Sequence, residues 1–286
     1  MVHCCRVRAA TVAMLACSVC LADDAEQTAA AKASLEAALR AGLAQDADAL
    51  RPALHPDVIA CDPTYGVMDL DAIIAPCDQP GGKHEATIGE WSPEVRGQWA
   101  AFRIPLEGPC ISSAGLSITS VGLAFRDAET WRVVGLGTAV IPEKEGALPE
   151  PFAGAYSSGK DALPDFLKRV DDVVERADSA AVRDLSHPKA RFIGYNPETK
   201  RLEVLDLDER IAIAERYHPK EVTFERVPGQ DDIEVQGSQV AFVIRTYRAL
   251  GTPQPVRVRE AFLLWWPPDE ARWQILASAY AILPAL

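Results

Sequence analysis

The sequence predicts an α+β protein built from two similar domains in tandem. Three observations carry this: blocks of the first half recur in the second, each copy runs from helical to strand-like periodicity, and a Pro/Gly/Ser-rich stretch separates the copies. Asp46, Leu50, Arg51, His55 and Pro56 recur as Asp178, Val182, Arg183, His187 and Pro188 at a constant offset of 132. Met68, Asp69, Leu70, Asp71 and Ile74 recur as Leu205, Asp206, Leu207, Asp208 and Ile211 at 137. Trp131, Val133, Val134, Ala139, Val140 and Pro142 recur as Trp273, Ile275, Leu276, Ala281, Ile282 and Pro284 at 142. The offset grows in two steps of five, as it does when loops lengthen while packed elements keep their spacing. The turn-forming residues 196–200 mark one such insertion. Repeats of this length are whole domains.

Each element follows in order. In the first copy Leu35, Leu39 and Leu43, with Ala38 and Gly42, form one apolar stripe of a helix. Phe166, Val170, Val173, Val174 and Ala177 do the same in the second. A short second helix opens at Asp46, and at Asp178 or Ser179, residues whose side chains cap free N–H groups. It ends at the His-Pro pair, because a residue before proline avoids helical geometry. Short strands are expected at 58–61 and 190–194, then brief helices near 71–74 and 208–215. The segments 234–249, 256–266 and 272–283 are rich in Val, Ile, Phe, Tyr and Trp and read as an antiparallel sheet. Domain boundaries follow at 23–145 and 161–286, joined by a linker over 146–160.

Composition narrows function. The chain has 286 residues, 48% hydrophobic, with a formal net charge of −12. That charge disfavours a grip on nucleic-acid phosphates. No run of 18 apolar residues occurs in the body of the chain, so no membrane span is expected there. At the start, Arg6 and Arg8 precede an apolar run from Ala9 to Leu21 that ends in small residues at Ala22. Residues 1–22 therefore read as a signal peptide and the product as periplasmic or secreted. The alternative is a lipoprotein anchored through Cys17 of the weak lipobox Met14-Leu15-Ala16-Cys17. Outside that segment only Cys61, Cys77 and Cys110 remain, allowing one disulfide in three possible pairings.

Several motif matches lack their required context. Ser157-Ser158-Gly159-Lys160 has no Ser-Asp-Asn or Lys-Thr-Gly partner, and Tyr156 with Lys160 has no glycine-rich turn after a strand. Gly135-Leu136-Gly137 reads as small residues where another backbone approaches. His55 and His187 could act as general bases, but their place beside a helix end favours pairing with terminal carbonyls or a position near the surface. No metal-ligand spacing is present. The two Asp-Leu-Asp sequences read as helix openings, where acids favour the positive end of the dipole.

The long helix, the acidic turn leading to Leu-His-Pro or Ser-His-Pro, the aromatic-rich strands and the terminal strands begun by Trp131 and Trp273 resemble the NTF2-like superfamily, including its SnoaL-like branch. The resemblance covers almost all of the chain after residue 22. It implies two cone-shaped domains, each a curved antiparallel sheet wrapped around its long N-terminal helix, with a pocket at the wide end. It also implies dimer-like packing of the two sheets within one chain, a pseudo-twofold arrangement that leaves further homo-oligomerisation open. Pocket candidates lie in the second copy: Tyr195, Arg245, Tyr247 and Glu260. Strand alternation puts Arg257 and Arg259 on the face opposite Glu260. No family catalytic motif transfers, and no cofactor is implied. The expected function is non-catalytic binding of a small apolar or amphipathic ligand, or of a protein partner. The alternatives are a cofactor-independent lyase, isomerase or hydrolase in the second pocket, and an envelope scaffold. The discriminating feature is whether Tyr195, Tyr247 or Glu260 faces an open cavity beside a second polar group about 3 Å away.

Overall fold

The computed structural model describes residues 25–78, 86–144, 146–150, 152–217, 222–229, 232–252 and 256–283. The expected signal peptide and Cys17 lie outside them. The first half runs α1 (Ala25–Leu43), α2 (Ala47–Leu50), β1 (Leu54–Asp62), β2 (Gly66–Asp69), α3 (Leu70–Ile74), β3 (Thr87–Ile88), β4 (Glu94–Arg96), β5 (Trp99–Glu107), α4 (Pro109–Ser113), β6 (Leu116–Asp127) and β7 (Thr130–Pro142). The second runs α5 (Phe152–Arg176), α6 (Ser179–Leu185), β8 (Ser186–Asn196), β9 (Arg201–Asp206), α7 (Leu207–Tyr217), β10 (Thr223–Arg226), β11 (Ile233–Gln236), β12 (Val240–Leu250), β13 (Val256–Trp265) and β14 (Gln274–Leu283). No helix among the described residues is long and apolar enough to cross a membrane.

The two halves share one topology. The first sheet has the order β2-β1-β7-β6-β5-β3 with β4 also on β5; the second has β9-β8-β14-β13-β12-β10 with β11 also on β12. Both depart from a purely antiparallel sheet at the same place, where β1 runs parallel to β7 and β8 parallel to β14. The last strand returns beside the first in the same direction after a helix-containing crossover, which a hairpin could not provide. Irregularities match too: the β6–β7 register slips after Leu123, and the β13–β14 register slips after Leu263.

Local contacts repeat with equal fidelity. Asp46 accepts from the Ala49 N–H at 3.0 Å and Asp178 from the Ala181 N–H at 3.0 Å, so both short helices carry the expected caps. Asp69 caps α3 through the Ala72 N–H at 3.2 Å. At α7, Asp206 and Glu209 form a reciprocal capping box with bonds of 2.8 and 3.0 Å. The histidines behave differently from expectation. Each opens a strand rather than closing a helix, and its Nδ1 accepts from the N–H two residues on, Asp57 for His55 and Lys189 for His187, at 3.1 Å in both. Burial lowers both imidazole pKa values below the ordinary 6.5, so the rings are neutral acceptors at neutral pH. The first five extra residues of the second copy fall in the hairpin between Ser186 and Asp206, around the turn at 197–200.

One expected boundary shifts. Residues 152–160, read as linker, belong to α5, which continues through Pro164 to Arg176. Gly154, Ser157, Ser158 and Gly159 are weak helix formers, but tertiary packing decides here. The Trp273 indole donates to the Gly159 carbonyl at 2.8 Å, and a Cβ on Gly159 would lie 3.1 Å from that ring.

Three apolar clusters are formed among the described residues. In the first half Leu35, Ala38 and Ala41 of α1 pack on Phe102, Ile104, Trp131 and Val133. In the second, Leu163, Phe166, Leu167 and Val170 of α5 pack on Phe262, Leu264, Trp266 and Trp273. The third lies between the sheets, where Trp99, Val121, Leu123 and Phe125 meet Phe242, Ile244, Leu263 and Trp265. The two sheets thus pack face to face, each with a helix on its outer side. Close approach requires small residues: a Cβ on Gly137 would sit 2.7 Å from Val240 Cγ1, and one on Gly237 would sit 2.5 Å from the Val140 nitrogen. Arg259, only 3% exposed, crosses between the halves and donates to both Glu94 carboxylate oxygens at 2.9 and 3.1 Å. Cys61 is a buried free thiol in this layer, its pKa raised by burial, so the expected disulfide does not use it. The Cys110 side chain lies outside the described residues.

Candidate functional site

A cavity of about 230 Å³, partly open to solvent, lies between the helix-covered face of the second sheet and the helices α5, α6 and α7. Most of its wall is apolar: Val170, Val173 and Val174 come from α5, Val182 and Leu185 from α6, Ile211 and Ile213 from α7, and Phe262, Ile275 and Ile282 from the sheet. Its polar groups are Ser179, Tyr195, Arg210, Tyr217, Glu260, Ser278 and Tyr280.

Glu260 is the central one. Even-numbered residues of β13 face the helices, as Phe262 and Leu264 do, while Ala261 and Leu263 face the other half. This alternation carries Glu260 into the cavity and Arg259 into the inter-sheet layer. On β14, Tyr280 stands directly opposite Glu260. Ser278 donates its hydroxyl to Glu260 Oε1 at 3.0 Å. Burial pushes the Glu260 pKa up from 4.5 to about 7; Arg210 and the Ser278 hydrogen bond oppose this, and the Asp171 carboxylate adds to it. A carboxyl poised near neutrality can hold or release a proton at little cost. Glu260 thus faces the cavity with the Ser278 hydroxyl 3.0 Å away.

The other three candidates divide. Tyr195 lines the cavity, and its backbone N–H donates to the Tyr280 hydroxyl at 3.3 Å. Arg245 and Tyr247 do not line it. Arg245, opposite Glu260 on β12, pairs with Asp171 and donates to the Leu167 carbonyl at 3.2 Å. The Tyr247 hydroxyl donates to the other Asp171 oxygen at 2.8 Å. Its pKa is raised by burial first and then by the Glu260 and Asp171 carboxylates, so it stays a neutral donor. Arg226 lies 3.8 Å from Asp171 as well, giving that carboxylate two cations. This cluster fixes α5 on the sheet beside the cavity, a structural role for Arg245 and Tyr247.

The shared strand register locates first-half counterparts for the site residues on β12, β13 and β14. Leu123 matches Leu263, so Ser120 takes the place of Glu260, and Leu136 and Thr138 those of Ser278 and Tyr280. Ile104 replaces Arg245 and Leu106 replaces Tyr247. At the helix offset of 132, Leu39 replaces Asp171. Phe102 lies opposite Gly122 where Val243 lies opposite Phe262, so the aromatic ring sits on the other strand of the pair. At these positions the first half therefore holds Ser120, Thr138, Ile104, Leu106 and Leu39, none of them charged, where the second holds Glu260, Tyr280, Arg245, Tyr247 and Asp171.

Arg210 and Asp171 were not singled out from the sequence. Comparing the copies exposes both, because an ionisable residue stands where its counterpart is Ile73 or Leu39. Among the described residues no group of three or more His, Cys, Asp or Glu side chains is placed to hold a metal ion.

No family model matches the chain, and no curated protein matches it. Solved structures similar to it include an NTF2-like protein of unknown function from Shewanella baltica, 16% identical, covering 43% of this chain and 99% of its own, with a TM-score of 0.35. An NTF2-like protein of unknown function from Silicibacter pomeroyi is 19% identical and covers 44% of this chain and 98% of its own, with a TM-score of 0.33. A ketosteroid isomerase-like protein from Erwinia carotovora atroseptica is 19% identical and covers 41% of this chain and 97% of its own, again with a TM-score of 0.33.

Proposed function

We propose that this chain is an exported tandem NTF2-like protein whose second half binds a small, mostly apolar molecule in its cone, the first half serving as a covalently attached partner. One observation carries this: an apolar cavity containing a carboxyl group that the enclosed setting holds near neutrality. The matching face of the first half carries Leu39, Ile104 and Leu136 instead, which suits packing alone. Titration of the full chain with the neutral fluorophore N-phenyl-1-naphthylamine tests the reading. Saturable binding at one site per chain is expected, abolished in Ala214→Trp, which fills the cavity from α7. Binding unchanged in Ala214→Trp would rule the cavity out.

A second reading is favoured by the pairing of Glu260 with Tyr280 across adjacent strands. A carboxylate able to take a proton near pH 7, beside a phenol able to donate, is the arrangement needed for proton transfer on a bound molecule, as in a cofactor-independent isomerase or lyase. Ligand binding is the first step of both readings.

A further inference from the structure

Resting on the binding reading above, the geometry points to a narrower ligand class: we propose that the second-half cavity takes an amphiphilic monocarboxylate whose head pairs with Arg210 and whose apolar body lies along Val170, Val174 and Ile211. Arg210 lines the cavity from α7 and is half-buried. It makes no hydrogen bond or close ion pair among the described residues, unlike Arg226 and Arg245, which are paired with carboxylates. The acids nearest it in sequence are engaged elsewhere. Asp208 lies 2.6 Å from Arg183, and Asp206 and Glu209 are bound to each other's backbone N–H groups in the capping box. Among the described residues the only carboxylate in the cavity wall is Glu260, one of whose oxygens already accepts from Ser278.

A guanidinium partly withdrawn from water needs acceptors, and its planar fork fits a carboxylate with two parallel bonds. Arg210 also disfavours a second cation near Glu260, which argues against a lipophilic amine. Protonated Glu260 is compatible with a nearby anion and donates a hydrogen bond to it. Ile73 at the corresponding position of the first half shows that the helix and its packing do not themselves require an arginine.

The test is calorimetric titration of the full chain with decanoate, decanol and decylamine at one pH and ionic strength, repeated on Arg210→Gln and Arg210→Lys. Decanoate is expected to bind at least about tenfold more tightly than decanol, and decylamine more weakly than both. Arg210→Gln should reduce decanoate to the level of decanol while leaving decanol unchanged, and Arg210→Lys should retain part of the preference. Equal affinity for decanoate and decanol, tighter binding of decylamine, or an equal loss for all three probes in Arg210→Gln would overturn the carboxylate assignment. Failure of all three to bind would overturn it as well; the naphthylamine titration then decides separately whether the cavity binds ligands at all.

Discussion

Leu263→Asp is expected to abolish folding of the whole chain. Leu263 is fully buried in the layer between the sheets, close enough that an added Cβ on Gly137 would touch its Cδ1 at 2.8 Å. The substitution removes about 2–5 kcal/mol of packing and places a carboxylate in a dry layer whose cation Arg259 is already paired with Glu94. The sum exceeds what a marginally stable protein can absorb. Leu263→Ala, expected to cost about 3 kcal/mol, keeps the chain measurable. It should lower the midpoint of urea unfolding while both halves still unfold together, because each sheet loses a face when the other departs. A wild-type midpoint for Leu263→Ala, or a folded Leu263→Asp, would show that the sheets are not packed on each other.

The second large effect is on the pH dependence of stability. In the unfolded chain Glu260 titrates near 4.5, whereas in the folded chain it keeps its proton to about 7. Between these values the folded state binds more protons than the unfolded one, so this group's contribution to stability is fully present below 4.5 and falls as pH rises through 7. The difference amounts to at most about 3 kcal/mol, less where cavity water solvates the carboxylate. Glu260→Gln removes the ionisation and retains the shape. Above pH 7 the variant should therefore melt several degrees higher than the wild type, by roughly 5 °C. Below pH 5 the two should melt together. Parallel melting curves across the whole range would mean that Glu260 ionises as an exposed carboxylate does.

Much of the fold was legible because duplicated, packed elements hold their spacing. The caps at Asp46 and Asp178 stand at an offset of 132 because each is a local bond within one helix turn, and the strands begun near Trp131 and Trp273 stand at 142 because each is registered against its sheet neighbours. Residues 152–160 were misread because local propensity speaks for a loop there. The helix forms because Trp266 and Trp273 cover it, a contact more than a hundred residues away in sequence. The parallel pairing of the first and last strands in each half is likewise a tertiary choice that no local pattern encodes.

Of the site, Glu260 and Tyr195 were legible as polar residues on or beside the right strands. Arg245 and Tyr247 face the same side as Glu260 but are committed to Asp171, a carboxylate hidden in the apolar stripe of α5. Periodicity treats such a residue as noise. Only the contrast with Leu39, Ile104 and Leu106 marks the three as one unit, since polar groups exchanged together between copies must satisfy each other.

The assignment of a ligand cavity to the second half depends above all on the enclosed carboxyl of Glu260. Carbon-13 NMR of the full chain labelled at glutamate carboxyls, compared with Glu260→Gln, measures it directly. One resonance titrating near 7 in the wild type and missing from the variant is the predicted result; glutamates that all titrate near 4.5 would contradict it.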